Sequence, residues 1–570
     1  MRRALVLAGI AAAALTLPAA AWAHAALLKT FPEASALLDR QPKEVRLTYD
    51  EVVEPRFAII SVTDKDGHSQ TTGSPQRSVS DPYTLEVPVG RLGEGWYLVY
   101  WRVISADGHP VRGAFTFSIG PNAGPAPEFV IPPLTETAAT PGLLTARWVA
   151  FITSMAALGL FFLRAVVARP LVRRVSGTSL RGVSTAFVVA LVLALVAVPV
   201  YVLAATAQFA LRSVWTIGAL VPLMRVSAFG RGYLDLELIL ALFGAAALVA
   251  LWLDRPERPQ RSVAALLALW GAGLAGGAAL LAPGASGHAA QTAPRALSIA
   301  LDWLHLAAGS IWVGGLIGLL VLWRSLPAAR RTAGLVVCVP RFSNVAFVAV
   351  LALIGSGTGA ALIHVPTFSS LWQTSYGQAI LVKVALLAGA MLLAGVNLLR
   401  TRPALAVFDL GEGVARTLRR LVAGESLLVA GAVFAAAVLS SLPPPSQALA
   451  SLGSPDVHAG PGPVTSVVER NGYRLELHVQ PNKVAVSNDF SVRVLRGGHA
   501  VHGLGVTVTF TMLDMEMPNL SYTLSEQGAS GLYERSAPAL VMVGRWALRF
   551  DFQPPHGAPF SVLVVDRANG

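Results

Sequence analysis

Three residues in the first part of the chain have the types and spacing of a copper site. His24 follows AWA at positions 21–23, a small-residue signal for signal peptidase, so cleavage there makes His24 the N-terminus. A free N-terminal histidine can chelate a metal through its Nδ1 and its α-amine, which titrates near ~8 and gives up its proton readily. Asp107 and His109 add an oxygen and a nitrogen, and on a strand they would share one face. This donor set suits Cu(II).

Each part of this pattern also has an explanation without metal. The place of His24 beside the cleavage signal could be coincidence, and Asp-Gly-His-Pro at 107–110 has the composition of an ordinary turn. A near-copy, Asp66-Gly67-His68, falls in a predicted hairpin loop and is interpreted as a turn.

The first 23 residues are predicted to be a signal peptide. Arg2 and Arg3 give a positive start, and an apolar stretch at 4–17 ends before Pro18. That stretch is too short to span a bilayer comfortably, so removal is favoured over anchoring.

The composition indicates a membrane protein. The chain has 570 residues, of which 54% are hydrophobic and 13% charged, and its mean hydropathy is +0.58. The net charge of +12 comes largely from arginines in short loops. Arginines placed in this way indicate the orientation of the chain in a membrane rather than a surface that binds nucleic acid. Cys338 is the single cysteine, so a disulfide within the chain and a thiolate cluster are excluded. A transition-metal site must therefore use histidine, methionine, carboxylate or amine ligands.

Hydropathy divides the chain into three blocks. Alternating segments such as EVRLTYDEVVE and GWYLVYWRVIS predict an N-terminal Ig-like, Greek-key β-sandwich, a long apolar region predicts an eight-span α-helical membrane bundle, and a second alternating region predicts a C-terminal β-sandwich. The predicted boundaries are 1–23 for the signal peptide, 24–120 for the first sandwich, 121–142 for a Pro-rich linker, 143–442 for the membrane domain, 443–462 for a second linker and 463–568 for the last sandwich.

The loops between the spans predict the orientation. The eight spans are expected at 143–166, 183–206, 233–253, 262–283, 297–323, 343–364, 378–399 and 421–442. The loops after spans 1, 3, 5 and 7 are rich in arginine, whereas the loops after spans 2, 4 and 6 together have far fewer arginines, three of them in the longer loop 207–232. By the positive-inside rule the arginine-rich loops are cytoplasmic. Both β-domains are then expected on the periplasmic or extracellular side of the bacterial inner membrane, in agreement with the signal peptide.

Polar residues in the spans are candidates for a copper path, because such groups are costly in a membrane. Asp302 and His305 in span 5 are three apart and share a helix face. The other candidates are His288 in an external loop, His364 at the end of span 6 and Glu425 in span 8. Alternatively, polar residues such as Lys383 and Asn397 bridge helices that small residues bring close together, and a helix end near the interface explains His364 without function.

The C-terminal block contains soft ligands. Met512, Met515 and Met517, with His499 and His502 nearby in sequence, suit Cu(I). The alternative is strand packing followed by a loop.

The N-terminal block resembles the periplasmic copper-binding protein family CopC. The likeness covers about 24–120 and lies in HAALLKTFPEASALL and WRVISADGHPVRGAFTFSIG. In that family the N-terminal histidine and the Asp-x-His pair bind Cu(II), which corresponds to His24, Asp107 and His109 here. No methionine occurs between 24 and 120, so the resemblance implies a domain specific for Cu(II), without the Met-rich Cu(I) site of some relatives.

The other two blocks also resemble known families. Residues 143–442 resemble the membrane protein CopD through DWLHLAAGSIWVGGL, RFSNVA at 341–346, the stretch 375–397 and Glu425. That family is associated with copper uptake and copper resistance. The C-terminal block is similar to the YtkA-like domain through its Met-Pro turn and MVGRW at 542–546.

These observations favour a non-enzymatic copper carrier for uptake, homeostasis and resistance. It would capture Cu(II) outside, pass it to the bundle and exchange copper with periplasmic donors or acceptors. The chain has no GxxxxGK[ST] motif, so direct coupling to ATP is not expected. One alternative is copper buffering or delivery without conduction. Another is a copper oxygenase with an N-terminal histidine chelate, which is disfavoured because Asp107 as a strong oxygen ligand would tend to block the open copper position.

Overall fold

The computed structural model describes most of the chain. The described residues are 25, 27–34, 36–105, 110–121, 140–226, 228–286, 289, 294–405, 411–442, 445, 455–484, 486–514, 519–541, 543–555 and 557–569. They form two β-domains and a helical block, as the hydropathy pattern predicts.

The N-terminal domain is a β-sandwich of two four-stranded sheets. One sheet has the strand order β1-β3-β6-β5 and the other β2-β8-β7-β4. The strands are β1 (Leu27–Phe31), β2 (Leu37–Leu38), β3 (Glu44–Tyr49), β4 (Ile59–Asp64), β5 (Gln76–Arg77), β6 (Thr84–Pro88), β7 (Gly95–Ile104) and β8 (Pro110–Ile119). Alternate residues of β3, among them Val45, Leu47 and Tyr49, are buried against the facing sheet, as expected for strands with one core face.

Eight long helices follow. They are α1 (Pro141–Phe162), α2 (Arg181–Phe209), α3 (Ala228–Leu253), α4 (Val263–Ser286), α5 (Arg295–Ser325), α6 (Ala328–His364), α7 (Ser375–Val396) and α8 (Gly411–Leu439). In the part of the chain that is described, eight helices are long and apolar enough to cross a membrane. Val192, Val196 and Val200 of α2 recur every four residues and are each more than half exposed, which provides an apolar face for lipid.

Two helices begin earlier than hydropathy predicts. The expected start of span 6 is residue 343, but α6 begins at Ala328 and continues through Pro340. The expected start of span 8 is residue 421, but α8 begins at Gly411. The physical reason is that hydropathy detects only the part of a helix that matches the hydrocarbon layer, whereas the backbone hydrogen bonds continue into the arginine-containing segment before it.

Glycines allow α1 and α5 to pack backbone to backbone. A Cβ atom added at Gly314 would lie 2.4 Å from the Cα of Gly159, and one added at Gly315 would overlap the ring of Phe342. Close contact at small residues is a common way for helices to associate in membranes, because apolar burial alone gives little driving force there. This contact agrees with the interpretation from sequence that small residues bring helices close together.

A buried carboxylate forms hydrogen bonds that connect the ends of α1, α3 and α4. Asp254 follows α3 directly, and its side chain is 0% exposed. It accepts hydrogen bonds from Arg164 Nη1 at 2.8 Å, Arg169 Nε at 3.0 Å and Arg261 Nε at 3.2 Å. These charge-assisted bonds compensate the buried charge and fix the helix ends.

The C-terminal domain contains ten described strands in one hydrogen-bonded sequence. Their order is β10-β11-β12-β16-β15-β14-β17-β18-β9, with β13 paired to β12. The strands are β9 (Val457–His458), β10 (Val464–Arg470), β11 (Tyr473–Gln480), β12 (Asn488–Arg496), β13 (His499–Ala500), β14 (Gly505–Met512), β15 (Leu520–Gln527), β16 (Leu532–Ala537), β17 (Gly544–Gln553) and β18 (Phe560–Ala568). Phe490 of β12 and Phe510 of β14 meet with ring centroids 4.7 Å apart, so the two halves pack face to face as a sandwich. β9 lies in the predicted linker 443–462 and pairs in parallel with β18.

The two β-domains pack against each other. The backbone N–H of Ala114 in β8 donates to the carbonyl oxygen of Val541 at 3.2 Å. Leu98 and Ala114 belong to the buried core of the C-terminal domain, and Tyr100 packs against that core. The face of β7 that points away from its own sandwich is therefore covered by the second β-domain.

Candidate metal centres

The N-terminal candidate site is built at the end of the β7–β8 hairpin. His24, Asp107 and His109 lie outside the described residues. Their neighbours are described and lie close together: the backbone N–H of Ala25 donates to Ser105 Oγ at 3.2 Å, and both residues are buried. Ile104 pairs with Pro110 at the end of the β7–β8 ladder. Ala25 thus lies beside this end of the hairpin, and it is the neighbour of His24 in sequence.

The near-copy of this motif forms a turn, as the sequence interpretation expected. Ligand atoms of Asp64, Asp66 and His68 lie within 4.8 Å of one another. However, the Asp64 carboxylate already accepts the backbone N–H groups of His68 at 2.9 Å and Asp66 at 3.0 Å, and the side-chain amide of Gln70. The hydrogen bond from His68 is the main reason why the pKa of Asp64 lies below its usual value. These bonds account for the cluster as a hydrogen-bonded turn.

The membrane block brings Asp302 and His305 of α5 next to Lys383 of α7. The Lys383 Nζ lies 3.3 Å from His305 Nε2. Asp302 interacts electrostatically with Lys383, and Tyr376 precedes Lys383 by two turns on α7. Asp302, His305 and Lys383 are all half-buried within the chain. This arrangement combines a carboxylate, an imidazole and an ammonium group in the first third of α5.

The hydrogen bonds of His305 determine which ring nitrogen carries the proton. His305 Nδ1 lies 3.1 Å from Ser356 Oγ of α6, and this hydroxyl donates to the carbonyl oxygen of Ala352 at 2.6 Å. Because the Ser356 proton is used in that bond, its oxygen accepts the proton of Nδ1. The lone pair of Nε2 is then directed at Lys383. Gly357 leaves the space for the ring, since a Cβ there would lie 3.2 Å from His305 Cε1.

Four positions of α5 form one stripe along the helix. Residues 302, 305, 309 and 312 are spaced by three, four and three, so they share a face over about 15 Å. At Gly309 the methyl group of Met155 lies 2.8 Å from the position of an added Cβ. At Trp312 the indole Nε1 donates to Glu425 Oε1 at 2.8 Å, and both residues are buried. The stripe therefore passes from carboxylate and imidazole through a thioether to a second carboxylate.

A second buried cation lies in the bundle. The Arg147 guanidinium is buried and donates to Tyr201 Oη at 2.8 Å, to Ser440 Oγ and to the carbonyl oxygen of Ala437. Tyr201 contacts Tyr233, with ring centroids 5.3 Å apart, and Tyr233 interacts electrostatically with both Arg147 and Asp302. Arg147 thus acts on Tyr233, whereas Lys383 is the cation that acts on Asp302.

Among the other predicted path residues that the structure describes, His364 is not brought to this stripe. His364 is the last residue of α6, about 12 Å along that helix from Ser356, and its Nδ1 bonds to the carbonyl oxygen of Ala360 at 2.8 Å. His288 lies outside the described residues. Asn397, interpreted from sequence as helix-packing glue or function, lies within hydrogen-bonding reach of Glu425.

Of the three C-terminal methionines, the structure describes Met512. Met512 ends β14 and is 2% exposed in the domain core, as the strand-packing alternative expects. Met515 and Met517 lie outside the described residues. His502 is engaged at the surface, where its Nδ1 lies 2.6 Å from Glu526 Oε1. The Cu(I) interpretation of this block therefore rests on Met515 and Met517 and stays a prediction.

Two features of the structure were not predicted from the sequence. The first is the contact of Lys383 with His305, which joins residues on different helices and has no local signal. The second is the covered outer face of β7, for which a signal exists: GWYLVYWRVI is apolar on both faces, as in strands buried on both sides.

Comparison with known families agrees with the order of the blocks. The CopC domain model matches residues 27–120, and the YtkA-like model matches 468–551. The model of copper resistance protein D matches 336–439, which covers α7, α8 and most of α6.

Individual relatives extend this finding. "Copper transport protein CutJ" of Bacillus subtilis (strain 168) is 27% identical over 547 residues, which cover 94% of each chain. "Protein YobA" of Escherichia coli (strain K12) is 35% identical over 99 residues, 17% of this chain and 80% of YobA. The crystal structure of CopC from Methylosinus trichosporium OB3b is 28% identical and covers 19% of this chain and 100% of that CopC, with a TM-score of 0.16. The chain thus consists, in order, of a CopC domain, a multi-span block with a CopD region and a YtkA-like domain.

Proposed function

We propose that this protein captures Cu(II) with its N-terminal domain and passes copper through the helical bundle, for uptake and copper homeostasis. His24, Asp107 and His109 are the proposed Cu(II) ligands. The observation that carries the proposal is the hydrogen bond between Ala25 N–H and Ser105 Oγ. Consecutive Cα atoms are about 3.8 Å apart, so His24 is one peptide from one end of this bond and Asp107 is two from the other.

The chemistry of the three residues supports Cu(II) as the captured ion. Together they offer the α-amine, two imidazoles and a carboxylate, a nitrogen and oxygen set that suits tetragonal Cu(II). The described residues 27–34, 36–105 and 110–121 contain no methionine or cysteine, which are the ligands that select Cu(I). Homologues named for copper transport and copper resistance support copper as the cargo.

The stripe on α5 is the proposed copper path through the bundle. Asp302 and His305 form its first copper-binding position, and Glu425 beside Trp312 forms a later one. Met155 lies between these two positions and offers its thioether sulfur as a copper ligand. Such groups inside a membrane protein mark ion pathways, because burying them costs free energy that packing alone does not require.

The proposed orientation places both β-domains on the periplasmic side. The buried cluster of Asp254 with Arg164, Arg169 and Arg261 lies at the ends of α1, α3 and α4 that the positive-inside rule assigns to the cytoplasm. Copper captured by the CopC domain would then enter the bundle from outside, with periplasmic copper donors or acceptors as partners.

The test compares two forms of the full-length protein purified in detergent. One begins at His24 and the other has one alanine added before it, and mass spectrometry verifies both N-termini. We expect the processed form to bind one tight tetragonal Cu(II) by EPR and competition titration, and the added residue to weaken it by orders of magnitude. His109→Ala should do the same, whereas His68→Ala is the matched control in the exposed turn. Equal binding by both N-terminal forms would refute the capture site.

The path is tested separately in proteoliposomes that contain a copper-sensitive dye. Wild-type protein should raise internal copper, and His305→Ala should abolish this signal while the N-terminal Cu(II) EPR spectrum stays unchanged. Binding without any transport by wild-type protein would instead support buffering or delivery without conduction.

A further inference from the structure

We infer that the ammonium group of Lys383 occupies the Asp302–His305 site in the metal-free protein, and that copper enters the site by displacing it. Lys383 is then a tethered substitute for the transported cation. This inference rests on the proposed copper path and adds a residue that governs access to it.

The first argument is the competition for one lone pair. Nδ1 of His305 carries its proton and donates to Ser356, so Nε2 is the nitrogen with a lone pair to offer a metal. Lys383 Nζ lies 3.3 Å from Nε2 and has only donor hydrogens, so it donates to this lone pair. The ammonium group and a copper ion cannot both use Nε2. Occupation by one therefore excludes the other.

The second argument concerns charge. Asp302 is the carboxylate that interacts electrostatically with Lys383. A copper ion that joined the site with Lys383 in place would put two cations beside one carboxylate, in a poorly screened environment. If the ammonium group moves away, copper takes its place as the cation beside Asp302. The carboxylate therefore has one cationic partner in both states.

The third argument is the choice of lysine. Lysine is a point charge on a flexible four-carbon stem, so its head can leave the site while the backbone of α7 stays in place. The side chain of a helical residue points back toward the N-terminus of its helix, which for Lys383 is the direction of Tyr376. The displaced head of Lys383 can therefore move along α7 in that direction.

Helix packing by a polar pair makes the opposite prediction for copper affinity. If Lys383 only bridged α5 and α7, its removal would loosen the site and weaken copper binding. If Lys383 competes with copper, its removal strengthens binding, because the metal no longer has to displace a cation. The sign of the change in affinity therefore separates the two explanations.

The experiment uses the full chain in detergent with the N-terminal site inactivated by Asp107→Asn and His109→Ala. Copper affinity of the membrane site is measured by competition with a chelator in this background and in three additional variants. We expect Lys383→Leu, which adds no copper ligand, to bind copper at least tenfold more tightly, and Lys383→Arg, which keeps the positive charge, to show no such gain. His305→Ala should lose the site. In proteoliposomes Lys383→Leu should transport more slowly than the protein with Lys383, because no tethered cation returns to help release the ion.

Lys383→Gln, a polar and uncharged variant, repeats the measurement if the leucine variant does not elute as a single folded species. Unchanged or weaker copper binding by a folded Lys383→Leu or Lys383→Gln protein would overturn the displacement while leaving the path intact. If His305→Ala keeps the membrane site and its transport, the proposed path fails, and the displacement fails with it. The two failures are therefore distinguishable in one set of proteins.

Discussion

Replacing Ser105 tests whether the fold holds the N-terminus ready for copper. In the structure the hydroxyl of Ser105 accepts the backbone N–H of Ala25, in a buried position. Ser105→Ala removes that acceptor, so the residues before Ala25 lose their anchor to the hairpin in the metal-free protein. The binding of copper must then order the residues before Ala25.

The expected magnitude follows from the entropy of the chain. Fixing the backbone of one residue costs roughly 1–2 kcal/mol, and the lost hydrogen bond releases about one residue, His24. This free energy is subtracted from the binding of copper, so the affinity should fall about 5- to 30-fold. A loss of this size is well below that expected from removing a ligand, because the proposed chelating atoms of His24 remain.

The assay is competition titration of Cu(II) with the full-length processed protein, together with EPR. The EPR spectrum of Ser105→Ala at saturation should match that of the wild type, since the ligands are the same. Ser105→Thr keeps a hydroxyl group and should bind nearly as tightly as the wild type, and Ser74→Ala, in an exposed loop of the same domain, should have no effect. An unchanged affinity in Ser105→Ala, or an equal loss in Ser105→Thr, would refute the anchoring argument.

Two further predictions concern the β-domains. Gly113→Val should lower the thermal unfolding midpoint of the β-domains by several degrees, because an added Cβ would lie 2.7 Å from the ring of Trp101 and 2.9 Å from the carbonyl oxygen of Val541. Glu526→Gln should remove a stabilising contribution that depends on pH, since the Gly503 N–H is the main cause of a lowered pKa of the Glu526 carboxyl. A carboxyl whose pKa is lower in the folded state stabilises the fold above its usual pKa of 4.5 and loses this effect as the pH falls through the folded value, so the two proteins should differ at pH 6 and converge in acid.

Each of these predictions has a matched control. Gly93→Val introduces the same side chain where the nearest atom, Tyr97 Oη, is 3.9 Å away, so its unfolding midpoint should not change. Glu469→Gln removes an exposed carboxylate of the C-terminal domain. An equal decrease in Gly93→Val, or a constant difference between Glu526→Gln and the wild type at every pH, would contradict the stated reasons.

The sequence was sufficient for the architecture because the patterns that define it are local. Alternation in segments such as Glu44–Tyr49 predicts strands with one buried face, and long apolar runs predict the eight helices that the described residues contain. Helix ends were less accurate, as α6 shows, because hydropathy reports the solvent around a helix and not its hydrogen bonds.

The candidate sites were predictable only in part. The spacing of Asp302 and His305 predicts that they lie on one face of their helix. Their interaction with Lys383 depends instead on how α5 packs against α7. The bond between Ala25 and Ser105 likewise depends on the packing of two sheets. Neither contact has a local sequence signal, because the partners are far apart in the chain and meet through tertiary structure.

The hydrogen bond between Ala114 and Val541 has a consequence for how the protein is made. The ribosome completes the CopC domain first, and all eight helices are synthesised before residue 541 exists. Domains generally fold as units in the order of synthesis, so the CopC domain must form its own core while Leu98 and Tyr100 are still uncovered. Docking of the last domain then closes a very long loop, at an entropic cost that grows only slowly with its length. Until that late step an apolar sheet face remains exposed, and a chain truncated before residue 541 would keep it exposed and prone to aggregate.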